Sequence, residues 1–233
     1  GLTFRQQGFV TSSRLWTESL YRERGVHAIL GAHVLAVEPG VVRYETLDGT
    51  EHEQAFDFAM LLPPFGGVGL QAFDRSGADI TESLFAPNGF MRVDADYAQR
   101  PPEEWRAADW PTTYRCPGFT NLFAIGIAFA PPHPISQPRR SARGTPITPA
   151  PPRTGMPSGV MGRTVARTVA DMLRHGPGKP AHTASLATMG AACIASAGAD
   201  LLHGSAAAMT MYPIVPDFVR YPEFGRDLEA TYG

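Results

Sequence analysis

The sequence predicts an α/β protein. Three observations carry this: a hairpin pattern between residues 41 and 62, a long helical pattern from Pro157 to His175, and 43% hydrophobic residues over 233 positions. That length and apolar fraction supply one large core or two modest ones.

Residues 12–24 read as the opening helix. Ser12 or Ser13 can cap it, Leu15, Trp16 and Leu20 recur at helical spacing, and Gly25 ends it. Val26 to Leu30 and His33 to Val37 are apolar runs expected as strands, with Gly31 as the turn between them. After the Pro39-Gly40 turn, Val41 to Leu47 reads as a strand. Asp48-Gly49 tolerates positive φ and marks a hairpin, so Gln54 to Leu62 is expected to return. Residues 74–89 read as loop or short helix, and Phe90 to Val93 and Asn121 to Ile125 as strands. Residues 99–118, rich in Pro, Trp and charge, are expected to wrap the surface.

Residues 131–157 are dense in Pro, Ser, Thr and Arg, and a loop this long is functional or disordered. Pro157 then suits the first turn of a helix, where its missing N–H costs nothing. Met161, Val165, Val169, Met172 and Leu173 form its expected apolar stripe, and Gly176-Pro177 stops it. Residues 185–196 and 206–214 read as strands.

A formal net charge of -2 and the lack of a basic stripe with interleaved aromatics exclude a nucleic-acid partner. Arg139, Arg140 and Arg143 form a local basic cluster, read as a solvated loop. Two cysteines, Cys116 and Cys193, are too few and too far apart for a disulfide framework, a zinc site or a C-x-x-C motif. The seven histidines show no ligand spacing, so no metal site is expected, and no G-x-S-x-G elbow supports a hydrolase triad. A reducing, cytoplasmic setting follows. Peripheral contact with a membrane is left open, although no apolar run is long enough to span one.

Several motifs, taken in order, resemble one flavoprotein family. Asn121-Leu-Phe-Ala-Ile-Gly126-Ile127-Ala128 is similar to the N-[IL]-[FY]-A-x-G-D-A turn of two-dinucleotide-domain flavoproteins. There the glycine admits the backbone to FAD and the acid bonds the ribityl chain; Ile127 stands here in place of the acid. Pro152-Arg-Thr154-Gly155-Met156 resembles the P-[KR]-T-G-x segment of sulfide:quinone oxidoreductases, where a helix N-terminus lies by the flavin ring. Met189-Gly-Ala-Ala-Cys193 resembles that family's segment with a C-terminal redox cysteine. A small buried hydrophobe is the alternative reading of Cys193. Leu61-Leu-Pro-Pro64-Phe65 resembles the crossover strand near the flavin, and Asn88-Gly-Phe-Met-Arg-Val-Asp94 the strand before the FAD turn. The stretches from Ala207 to Phe218 and from Tyr221 to Asp227 resemble one branch of these proteins.

The resemblance implies the tail of a Rossmann-like nucleotide-binding domain in residues 1–62. The C-terminal part of an FAD-binding domain would follow in 63–233, with the Pro-rich insert at 131–157. It implies FAD as cofactor, with Pro64, Gly126, Ile127, Thr154, Gly155 and Met156 near it and Cys193 as catalytic thiol. Electrons would pass from sulfide to quinone. No G-x-G-x-x-G occurs; the nearest stretch, Gly66-Gly67-Val68-Gly69, reads as a tight loop. The expectation is therefore an incomplete enzyme, relying on a missing N-terminal half or a partner polypeptide. The ends, Gly1 without Met and Gly233 without a polar tail, fit that expectation. The alternatives are a type II NADH dehydrogenase-like flavoprotein, which would not need Cys193, and a non-catalytic interaction module of this fold.

Overall fold

The computed structural model describes residues 19, 21–62, 65–135, 139–147, 155–178, 182–197, 205–223 and 225, without the side chains of 193–197 and 205–211. The chain divides into two compact units. The first joins residues 1–63 with 136–150 and 192–209; the second joins 64–135 with 151–191 and 210–233.

The first unit follows from its turns. Residues 21–23 are helical and close in a Schellman cap: Val26 N–H donates to Tyr21 O at 2.8 Å, Gly25 N–H donates to Arg22 O, and Gly25 has φ +68°. The rest of the expected 12–24 helix lies outside the described residues, Ser19 excepted. Val26 to Leu30 is not a strand: among the described residues no strand pairs with it, and Leu30 is 78% exposed. β1 (Ala32–Glu38), β2 (Val41–Thr46) and β3 (Glu51–Ala55) form an antiparallel meander. The return strand is shorter and earlier than the expected Gln54 to Leu62. The Asp48-Gly49 turn sets Glu51 opposite Glu45, so Ala55 meets Val41 and β2 has no residue left to pair.

β4 (Arg139–Arg140) and β5 (Pro146–Ile147) make a short antiparallel hairpin from the Pro-rich insert. Ala142 N–H donates to Leu47 O, Thr145 Oγ1–H to Glu45 Oε2 at 2.8 Å, and Arg143 pairs with Glu51. The basic cluster is thus partly spent on holding the insert against the meander. β6 (Ala191–Ala197) and β7 (Ser205–Met211) pair with each other. With residues 185–190 in turns, β6 starts later than its sequence pattern suggested.

The second unit is held by loops and one long helix. α1 (Thr81–Leu84) is a single turn, and α2 runs Gly155–His175, capped where Gly176 takes φ +85°. The buried face of α2 is Pro157, Met161, Thr164 and Thr168. It is rotated from the expected stripe, and Leu173 is 84% exposed. Two threonines can be buried because Thr164 donates to Val160 O at 3.0 Å and Thr168 to Thr164 O at 3.1 Å, so neither hydroxyl is orphaned. The expected strands Phe90 to Val93 and Asn121 to Ile125 reduce to single bridges, Phe85 and Phe129 to Met91, and Arg115 to Phe123.

Residues 99–118 do not wrap the surface; they supply much of the core. Trp105, Trp110, Tyr114 and Cys116 are buried. Trp105 Nε1–H donates to Arg100 O and Trp110 Nε1–H to His133 Nε2, so both indoles are buried without an unmet donor. His133 also stacks on Trp105 with ring centroids 4.7 Å apart. Among the described residues no helix is long and apolar enough to cross a membrane.

Candidate functional site

In the second unit, the 88–94 and 121–128 segments and the α2 helix meet around the Gly126 turn, a 3-10 turn spanning Gly126–Ala128. Its entry is fixed by backbone bonds from Cys116 N–H to Leu122 O and from Ala124 N–H to Tyr114 O. Its exit is clasped by Met91, which donates to Ala128 O at 2.9 Å and accepts from Ala130 N–H at 2.7 Å. Tyr97 reinforces this clasp: its hydroxyl accepts the Val93 N–H and donates to Ala130 O. Asp94 holds the loop behind, its carboxylate accepting the backbone N–H groups of Thr112, Thr113 and Tyr114.

Gly126 sits against the first turns of α2. Its φ of +59° favours glycine, and a Cβ there would lie 2.9 Å from Ser158 Oγ. Its N–H points to Met161 Sδ at 3.3 Å. The positive φ is what calls for glycine, and a side chain there would in addition displace the Ser158 hydroxyl of the helix, a packing contact that the motif alone did not reveal. At the α2 start Met156 is 53% exposed, and among the described residues a Cβ on Gly155 would meet nothing within 4 Å. A helix N-terminus carries a partial positive charge that favours an electron-rich ligand. Ile127 is 44% exposed and offers no acceptor where the flavoprotein motif has an acid.

Gly126 and Ile127 lie on a turn that packs against α2 at Ser158 and Met161, and Gly155 and Met156 open the same helix. Pro64 and Thr154 lie outside the described residues. Cys193 is on β6, in the first unit, and its side chain lies outside the described residues.

Sequence reasoning placed Cys116 in a surface loop without a role, and the structure corrects the placement. The thiol is buried beside a cavity of about 350 Å³, between Asp94, Arg115 and Phe119. Burial, with the Asp94 carboxylate nearby, pushes its pKa up to about 11. A neutral thiol is a poor nucleophile, so this cysteine is unsuited to thiolate chemistry near neutral pH. Its Pro117-Gly118 neighbours gave no signal of burial.

No protein-family profile matches the chain. A curated protein of Aquifex aeolicus (strain VF5), a sulfide-quinone reductase, is 29% identical over 195 residues, which is 83% of this chain and 37% of that protein. The chain is sulfide:quinone oxidoreductase-like. Its backbone agrees: the X-ray structure of the sulfide:quinone oxidoreductase from Aquifex aeolicus matches with a TM-score of 0.52 at 25% identity, over 79% of this chain and 34% of that one. The reductase-like chain thus spans about a third of the length of the proteins it matches.

Proposed function

We propose that this chain forms part of an FAD-dependent oxidoreductase of the sulfide:quinone type. Residues 1–62 would be the tail of a Rossmann-like nucleotide-binding domain and 63–233 the C-terminal part of the FAD-binding domain. The supporting observation is the seating of the Gly126 turn on the first turns of α2, in a chain whose likeness to a reductase runs through most of its length.

FAD, when bound, would supply two-electron acceptance from sulfide and transfer to quinone. The N-terminal turn of α2, with Gly155 and Met156, would orient the ring end and favour negative charge there. The Gly126 turn would contribute backbone groups in place of the acid that Ile127 lacks. Ile127 and Met156 would shield that edge from water. Cys193 would be the thiol that bonds sulfide sulfur as a persulfide, the two electrons lost in forming that S–S bond going to FAD and the protons to solvent; Cys116, kept protonated by burial, would not serve as its partner. The adenosine-diphosphate end has no glycine cradle in this sequence. A polypeptide carrying one would complete the site, and peripheral contact with a membrane would bring it to quinone.

The test is sulfide-dependent bleaching of bound flavin in the completed assembly. Bleaching that is lost in Cys193→Ser is the expected result. Bleaching by NADH that survives this substitution would favour a type II NADH dehydrogenase-like reading. A second reading, a non-catalytic interaction module, draws on Ile127: an assembly that binds no flavin would support it.

A further inference from the structure

The peptide unit between Ile125 and Gly126 is trans, so its carbonyl and its N–H point in opposite directions. Both are spent inside the protein. Ile125 O accepts the Ala128 N–H at 3.1 Å, which closes the 3-10 turn. Gly126 N–H donates to Met161 Sδ at 3.3 Å. A thioether is a weak acceptor, and leucine would fill a core position of this size as well as methionine does. What methionine adds at 161 is the sulfur. Met161 is 3% exposed, so its bond to the turn is screened from solvent. Ser158, Met161 and Gly162 stand at the i, i+3 and i+4 spacing of one helix face, and all three lie against Ile125 or Gly126. The helix thus grips the turn at a single peptide, and the polar part of that grip is a hydrogen bond to sulfur.

We propose that Met161 is a positioning residue of the candidate flavin site: its sulfur holds the Ile125–Gly126 peptide facing α2 and withholds the Gly126 N–H from the cofactor. This rests on the flavin reading above and sharpens it. The N–H groups of Gly126 and Ala128 and the carbonyl of Ile125 are already committed within the protein. The backbone groups that the turn offers FAD are therefore other than these three. Glycine populates both signs of φ readily, so Gly126 does not by itself fix the orientation of this peptide. An aliphatic side chain at 161 would keep the core filled and leave the Gly126 N–H without an acceptor. Rotation of the peptide away from α2 is then the relief, and the surface presented to the cofactor changes with it.

The experiment uses the single Ile-Gly pair in the sequence, Ile125-Gly126. Carbonyl-labelled isoleucine with nitrogen-labelled glycine marks this amide alone in the nuclear magnetic resonance spectrum of the full chain. In the selenomethionine-labelled protein a selenium–proton coupling to that amide is expected, and it should vanish in Met161→Leu. The leucine variant is close to volume-neutral and should keep its circular dichroism, while exchange of the Gly126 amide quickens about tenfold or more. In complex with the unmatched portion of the Aquifex aeolicus reductase, the coupling should persist when FAD is bound, and retained flavin should fall about tenfold in Met161→Leu. The proposal is overturned by an absent coupling, by unchanged exchange in a folded Met161→Leu, by a coupling lost when FAD binds, or by flavin equally retained in that variant. Should Met161→Leu fail to fold, the coupling in the unaltered sequence decides. A complex that stays colourless with Met161 in place counts against the flavin reading; the sulfur bond is then judged on the chain alone, by the coupling and the exchange.

Discussion

Asp94 Oδ1 accepts the backbone N–H of Tyr114 at 2.6 Å, and Tyr114 is the non-glycine residue with positive φ among the described residues, at +60°. The relationship explains how a buried aromatic is kept in a backbone region that costs about 1–3 kcal/mol. The same carboxylate binds the N–H groups of Thr112 and Thr113, and the Tyr114 hydroxyl donates to Ala184 O at 2.7 Å. The loop behind the Gly126 turn is thus tied at both of its ends. Asp94→Ala should lower stability by about 1–2 kcal/mol, kept modest because the carboxylate is solvent-accessible. Urea unfolding measures it, and Asp94→Asn, which keeps one acceptor, should lose less. A loss below a few tenths would contradict the clamp.

Gly126→Ala combines a strained φ with a contact 2.9 Å from Ser158 Oγ. A loss of about 1–3 kcal/mol is expected. Adding Ser158→Gly should relieve the contact but leave the φ strain. A double-mutant cycle therefore shows partial recovery, and complete recovery would place the whole effect in the contact.

Glu45 is 2% exposed and binds the β4–β5 hairpin to the meander. The neighbouring Ser141 hydroxyl, the hydrogen bond from Thr145 and the Arg143 guanidinium hold its pKa below the ordinary 4.5. Its Oε1 is buried without a formed hydrogen bond, and the Ser141 hydroxyl is the neighbouring donor that lowers the pKa most. In the adjacent turn, Thr46 and Thr50 hold Asp48 at about 2 rather than 3.8. Both pKa values are depressed in the folded state. Their stabilisation is present above the unfolded values and lost as pH falls through the folded ones. Amide protection factors in residues 139–147, corrected for intrinsic exchange, should therefore fall as pH drops below 4.5. Glu45→Gln should remove most of that pH dependence at the hairpin.

Cys116, 1% exposed with its pKa pushed up to about 11, should resist alkylation in the native state at neutral pH. In a Cys193→Ser background, the remaining thiol should react at least a hundredfold faster in denaturant, by roughly the opening cost expected of a core position. Rapid native labelling would place Cys116 at the surface, as its Pro-Gly neighbourhood suggested.

Local signals in the sequence were legible where backbone chemistry set them. Asp48-Gly49 and Pro39-Gly40 located the meander, and Pro157 with Gly176 bracketed α2. The motifs at 88–94 and 121–128 pointed to segments that meet at the Gly126 turn. Signals that depend on tertiary partners were not legible. Val26 to Leu30 is apolar but finds no strand to pair with among the described residues. Trp105 and Trp110 sit among Pro and charge, yet their indole donors find Arg100 O and His133 and go inside. Thr164 and Thr168 read as polar in a helical pattern, but back-bonding makes them core residues, so the true buried face is turned away from Leu173. At the site, the glycine of the motif was readable, while its contact with Ser158 was not.

The central claim is that the Gly126 turn and the α2 N-terminus form one part of a flavin site whose nucleotide cradle lies elsewhere. Its most direct test is the visible absorption spectrum after incubation with FAD and desalting, for this chain alone and for its complex with the unmatched portion of the Aquifex aeolicus reductase. The account predicts little or no flavin on the chain alone and retained flavin bands on the complex, diminished by Gly126→Asp. A well-formed complex that leaves the column colourless would contradict it.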